Sequence, residues 1–260
     1  MITPKNKSNM SEQIEKDKIY NIDCLEGMKH IPDGSIDAII CDLPYGTTAC
    51  AWDSVIPFDK LWEQYKRIIK PRGAIVLFGS EPFSTMLRMS NLAWYRYDWI
   101  WDKERGHNFA IAKFQPMKSH EIISVFGKES PNYYPQMEKG EPYKMKGRAR
   151  KSEMLGDSSA ANYCPPADNN GERYPLSIQT FGADADSFHP TQKPVDLLRY
   201  LIRTYSNEGD TILDNCMSSG TTAVACIKEK RHYIGFELNK DYFDKACRRI
   251  DAERRQLSLF

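Results

Sequence analysis

The chain has 260 residues, 41% hydrophobic and 27% charged, which allows one large domain, or one domain with a sizeable insertion, and excludes a wholly disordered chain. Its 36 basic and 35 acidic residues leave a net charge of +1, which excludes a globally basic nucleic-acid coat and leaves only a local patch for such contact. No run of about 18 apolar residues could span a membrane; residues 1–18 hold no apolar secretory core, and seven scattered cysteines without a C-x-x-C pair fit a reducing cytoplasm better than disulfides or a zinc site.

Residues 1–16 read as a solvated polar tail. A short strand over 19–22 and a brief helix over 24–31 follow, closed by the Pro32-Asp33-Gly34 turn. The run Ile36-Asp37-Ala38-Ile39-Ile40-Cys41 suits a strand buried on both faces, and it ends at Asp42. Next come a loop with Pro and Gly, an amphipathic helix over 58–70 stopped by Pro71-Arg72-Gly73, and a buried strand over 74–78. Strand, helix and strand in that order predict a parallel sheet covered by helices. A helix near 82–91 and strands over 97–101 and 121–126 continue the chain. Its last part predicts helix 195–205, strand 211–215, helix 221–230, strand 233–236 and helix 240–255.

Between 130 and 188 the periodicity is lost, and Pro, Gly, Asn, Ser and Tyr accumulate. A structureless stretch that long inside a compact domain is uncommon unless it is functional. The chain therefore divides into a tail (1–16), a first half (17–105), an insertion that touches a partner (106–188) and a second half completing the same domain (189–260). His30, His107, His120 and His232 have no acid or cysteine at ligand spacing, and Trp94, Trp99 and Trp101 read as packing residues.

Two segments carry chemistry. Asp42-Leu43-Pro44-Tyr45 lies at the carboxyl end of a predicted parallel strand, the edge where open α/β sheets bind ligands. The Asp42 carboxylate and a carbonyl of Leu43 or Pro44 could accept the two N–H groups of a nucleobase amine, aiming its lone pair at an incoming methyl. Tyr45 could stack on the base. The bland alternative is an ordinary turn, which also uses Asp and Pro. The second segment, 211–222 (Thr-Ile-Leu-Asp-Asn-Cys-Met-Ser-Ser-Gly-Thr-Thr), is a strand, a small-residue bend and a helix start, the layout of a nucleotide-type cofactor site. It has neither the lysine of a P-loop nor a G-x-G-x-x-G. Glu237, just beyond the next strand, sits where an acid grips ribose hydroxyls. Here the bland alternative is a capped helix after a buried strand.

Together these segments resemble the amino-group DNA methyltransferases that use S-adenosylmethionine. The order matches the β class: the D-x-P-Y segment, an irregular region, His189-Pro190-Thr191-Gln192-Lys193-Pro194, then the cofactor bend. The resemblance covers about 18–105 and 189–255, and it implies a Rossmann-like, seven-stranded, circularly permuted α/β sheet with a target-recognition insertion. It implies catalysis by Asp42, Leu43, Pro44 and Tyr45. It implies cofactor contacts from Asp23, Cys24, Asp42, Lys193, Asp214, Cys216, Ser218, Gly220, Thr221, Thr222 and Glu237. Gly79-Ser80-Glu81-Pro82-Phe83 matches the loop that walls the target-base pocket.

The chain departs from the family pattern at Leu43, where proline is usual, and in the bend, where Asn215, Cys216 and Ser218 replace Pro, Phe and Gly. Ser218 matters most, because glycine there permits positive φ or close cofactor approach. In the insertion, Lys139, Lys144, Lys146, Arg148, Arg150 and Lys151 stand against Glu141 alone, a local charge of +5 beside Tyr133, Tyr134 and Tyr143. That run is expected to contact double-stranded DNA. The expected activity is adenine-N6 methylation of DNA, because cytosine-N4 members mostly carry Ser at the place of Asp42. The alternatives are a cytosine-N4 enzyme, a DNA binder weakened in catalysis by Ser218, and a protein or RNA methyltransferase, whose cofactor bend usually precedes the clamp. The resemblance further implies no metal, a homodimer, a role in restriction–modification and a cytoplasmic location in a bacterial or phage-infected cell.

Overall fold

The computed structural model describes residues 14–47, 53–149, 163–184 and 192–257. The elements are β1 (Lys18–Tyr20), α1 (Cys24–Met28), β2 (Ile36–Asp42), α2 (Phe58–Ile68), β3 (Ile69–Gly79), α3 (Phe83–Ser90), β4 (Tyr95–His107) and β5 (Lys118–Phe126). Six short strands follow, β6 (Glu138–Lys139), β7 (Tyr143–Met145), β8 (Arg148–Ala149), β9 (Tyr163–Cys164), β10 (Ala167–Asn169) and β11 (Glu172–Arg173). The chain closes with β12 (Ile178–Thr180), α4 (Val195–Tyr205), β13 (Thr211–Asp214), α5 (Thr221–Lys228), β14 (His232–Phe236) and α6 (Lys240–Leu257).

One sheet holds eight strands in the order β1-β14-β13-β2-β3-β5-β4-β12. All neighbours run parallel except at β5, which is antiparallel to both β3 and β4. The expected parallel sheet is thus interrupted at one strand, for a simple reason: β4 and β5 form one hairpin, so β5 must run back. The eighth strand, beyond the expected seven, is the three-residue edge β12, inside the stretch that showed no periodicity.

Ile36 to Cys41 is continuously apolar because helices cover both faces. Ala38 and Ile40 pack with α4, α5 and Ile250 of α6, while Ile39 and Cys41 pack with α1, α2 and α3. Trp99 and Trp101 lie in the first of these cores, donating their indole N–H groups to the Tyr205 hydroxyl and the Phe181 carbonyl. Strand β3 begins at Ile69, earlier than the Pro71-Arg72-Gly73 break suggested, and its pairing with β2 shifts register between Ile36 and Ala38.

Residues Pro135–Leu176 form a separate compact unit of three antiparallel strand pairs, β10 with β7, β11 with β6 and β8 with β9. Lys144 pairs with Asp168 at 2.8 Å, and the Arg173 guanidinium lies 4.7 Å from the Tyr143 ring centre. Over 135–176 seven bases meet six acids, so the local +5 of 139–151 becomes +1. Arg150 and Lys151 lie outside the described residues. No helix among the described residues is long and apolar enough to cross a membrane.

Candidate active site

Strands β2 and β13 are neighbours, with Leu213 opposite Ile39, so Asp42 and Asp214 emerge at the same sheet edge although 172 residues separate them. A cleft at that edge is lined by Asp42, Lys193, Asp214, Cys216, Ser218, Thr221 and Thr222, with Ile40, Phe78, Leu198 and Met217 as apolar walls. The two distant motifs therefore share one cavity. Leu43, Pro44, Tyr45, Asp23, Cys24, Gly220 and Glu237 are not on its lining. Tyr45 reaches the lining through its hydrogen bond to Asp42, and Glu237 through the Ser218 amide.

The Asp42 carboxylate is held from two sides. Its Oδ1 accepts from the Tyr45 hydroxyl at 2.6 Å, and its Oδ2 accepts from the Lys193 ammonium at 2.5 Å. The Tyr45 ring stacks on Phe83, centroids 4.9 Å apart. Leu43 is buried in the core beneath α1–α3. Lys193 also lies 3.3 Å from Glu121, whose other oxygen accepts from Lys103 at 2.5 Å. Burial pushes the Asp42 carboxyl up, Lys193 opposes the shift and the Glu121 charge adds to it. Burial also opposes charge on Lys193, but Asp42 and Glu121 outweigh it and hold the ammonium above its ordinary value. Glu121, against its own burial, is held low by Lys193 and Lys103.

The bend between β13 and α5 is fixed by side chains. Asp214 accepts from the Cys216 amide at 3.0 Å and from the Thr222 hydroxyl at 2.6 Å, and burial raises its pKa from 3.8 to about 6. Ser218 has φ +50 and Gly220 φ +76, so the bend needs the left-handed region twice, once on a non-glycine residue. The Ser218 amide donates to Glu237 at 2.8 Å, while the other Glu237 oxygen accepts from the Asn239 amide at 2.7 Å. Asn21 donates to the Glu237 and Leu238 carbonyls at 2.7 and 3.0 Å, and Asp23 caps α1 through the amides of Leu25 and Glu26. Arg249 of α6 donates to the Ser219 carbonyl and the Thr221 hydroxyl, tying the bend from outside.

Behind the bend, the thiols of Cys24 and Cys41 neighbour Cys216. That neighbour holds Cys24 below its ordinary value, whereas burial pushes Cys41 up to about 12. Cys216 thus fills, with small thiol neighbours, the place where a phenylalanine is usual.

Sequence reasoning missed Glu121 and Lys103, which lie on strands outside any motif; the only signal was an acid opening the apolar run 121–126. It also missed Asp53, which accepts from the Gly46 and Thr47 amides, both at 2.9 Å.

The family model for N6/N4 methyltransferases, described as DNA methylase, matches residues 36–248. Type II methyltransferase M1.MboII of Moraxella bovis is 27% identical over 252 residues, 90% of this chain and 96% of its own length. Type II methyltransferase M.HpaI of Haemophilus parainfluenzae is 30% identical over 251 residues, 88% of this chain and 72% of its own. Among solved structures, the cytosine-N4-specific PvuII DNA methyltransferase has a TM-score of 0.65 at 14% identity, covering 90% of this chain and 86% of that one. The M1.HpyAVI–SAM complex has a TM-score of 0.61 at 23% identity, covering 89% and 98%. The solved structures share the fold, and the sequence matches go further: this chain belongs to the N6/N4 DNA methyltransferase family.

Proposed function

We propose that the protein transfers a methyl group from S-adenosylmethionine to the N6 amino group of adenine within a specific site in double-stranded DNA. The observation that carries this reading is the shared cleft, in which Asp42, braced by Tyr45 and Lys193, faces the 214–222 bend. The residues present fit the cofactor. Gln192 lines the cleft with a buried Oε1 that has no hydrogen-bond partner among the described residues, an acceptor suited to an α-ammonium group. Asp214 supplies a carboxylate for a cationic ligand, and each Glu237 oxygen, already accepting one amide, retains a lone pair for a ribose hydroxyl.

When bound, the cofactor supplies a methyl group on a sulfonium, already a good leaving group. Asp42 accepts one N–H of the amine, and a carbonyl of Leu43 or Pro44 accepts the other, turning the nitrogen lone pair toward that methyl. The amine proton then passes to Asp42 or to water. The base must leave the helical stack to reach this corner, where Tyr45, braced by Phe83, stacks on it. Adenine is favoured over cytosine by the aspartate at position 42. The experiment is to expose unmethylated DNA to the protein and cofactor, digest it, and identify the nucleosides by mass spectrometry. N6-methyl-2′-deoxyadenosine is expected; N4-methyl-2′-deoxycytidine alone overturns the adenine assignment, and no modified nucleoside overturns the activity.

A further inference from the structure

The β4–β5 hairpin overshoots the sheet. Asp42 lies opposite Phe78, and Gly79, the last residue of β3, lies opposite Ile122. The pairs Asp102–His120 and His107–Lys118 therefore extend beyond the edge where Asp42 ends. The tip, 108–117, holds itself together: Ile111 N donates to Asn108 O at 3.1 Å and Phe114 N to Ile111 O at 2.9 Å. Gly106 makes room for Met117, since a Cβ there would fall 2.5 Å from the Met117 methyl. Lys118 donates to the hydroxyl of Ser80, in the loop that follows β3. The tip is thus a built feature, yet it leaves Phe109 83% and Phe114 87% exposed.

Its charge says what covers these rings. From Arg105 to His120 there is no acidic residue, while Arg105, Lys113 and Lys118 are basic. Neither Arg105 nor Lys113 has an ion-pair partner among the described residues, and both are exposed. A cationic, aromatic projection at the catalytic edge matches duplex DNA, where cations meet phosphates and an apolar wedge enters an unstacked base step.

We propose that this tip engages the duplex, with Arg105 and Lys113 on the backbone and Phe109 and Phe114 holding open the step from which the target base leaves. The inference rests on DNA being the substrate, and it assigns to residues other than the basic run 139–151 a part in base extrusion.

The test compares F109A/F114A with wild type on PCR-amplified, hence unmethylated, bacterial genomic DNA, both as duplex and after heat denaturation to single strands, following labelled methyl transfer. A wedge predicts a loss of about tenfold or more in kcat/KM on duplex, with far less on single strands, where nothing has to be unstacked. An undiminished duplex rate overturns the inference. So does an equal loss on both substrates, including one accompanied by dissociation of a dimer, which would make the tip a contact between copies. As a second measurement, R105A/K113A should reduce the slope of log affinity against log salt by about two; an unchanged slope removes these residues from the interface. Wild-type protein that methylates neither substrate defeats the parent reading itself, an outcome distinct from a variant that behaves like an active wild type.

Discussion

Asp42 carries the proposed chemistry through one carboxylate whose surroundings are fully specified. Asp42→Ala removes the acceptor for the amine and is expected to abolish methyl transfer while cofactor affinity changes only a few-fold; calorimetry beside a methyl-transfer assay checks both, and retained turnover would dismiss Asp42. Asp214 gives a pH dependence. Its pKa is about 6 in the folded protein against an ordinary 3.8, so the folded state holds this proton more tightly. Its contribution to stability is therefore largest below 3.8 and is lost as pH rises through about 6. A bound cation has the opposite preference and favours the carboxylate. Affinity for S-adenosylmethionine should accordingly climb between about pH 5 and 7 and then level. Asp214→Asn should remove most of the climb. Titration calorimetry across that range is the check; a flat profile in the wild type would show that Asp214 does not sense the ligand.

The bend between β13 and α5 is the element where this chain differs most from its relatives' pattern. Ser218 takes positive φ where glycine is usual, a placement that costs about 1–2 kcal/mol for a residue with a Cβ. The amide of Ser218 still reaches Glu237, so the serine keeps the bend's shape at the expense of stability. Ser218→Gly should stabilise the fold by up to about 1 kcal/mol, because relief of strain exceeds the entropy glycine adds to the unfolded chain. Cofactor affinity should stay within a few-fold. Denaturant melts and calorimetry read the two quantities separately, and a destabilised variant would show that Ser218 is unstrained.

Most elements were legible because their signals are local. Val195–Tyr205 shows helical periodicity, and Ile36–Asp42 is apolar on both faces because both faces are covered. The direction of β5 was not legible, since Glu121-Ile122-Ile123-Ser124-Val125-Phe126 reads alike in either direction. Nor were Lys103 and Glu121 legible as neighbours of Lys193, because a charge network assembled across strands β4 and β5 leaves no spacing along the chain. Asp42 and the bend holding Asp214 stood out by their places after predicted strands, Lys193 only through motif resemblance, and the sheet order then explains their meeting.

At the scale of the whole molecule, the cleft is assembled from strands that come early and late in the chain, with β2 beside β13 at the centre of the sheet. A ligand there fastens both halves at once. Saturation with cofactor at a hundred times its Kd should add about 2.7 kcal/mol to unfolding, a rise in Tm of about 5–10 °C for a domain of this size. Differential scanning calorimetry measures it. A rise seen in only one of two separated transitions would mean that the halves unfold independently.

The pairing of β1 with β14 has a consequence of its own. Lys18 lies opposite Ile234, and Arg254 of α6 donates to the Asp17 carbonyl. The first and last described elements are thus stitched side by side, and the backbone could be rejoined there by a short Gly/Ser bridge and cut open instead at the exposed turn around Glu208, between α4 and β13. Such a re-cut polypeptide would begin with the cofactor bend and reach the Asp42 corner later. It should still fold and retain its ligand, because the architecture depends on which strands touch and not on where translation starts.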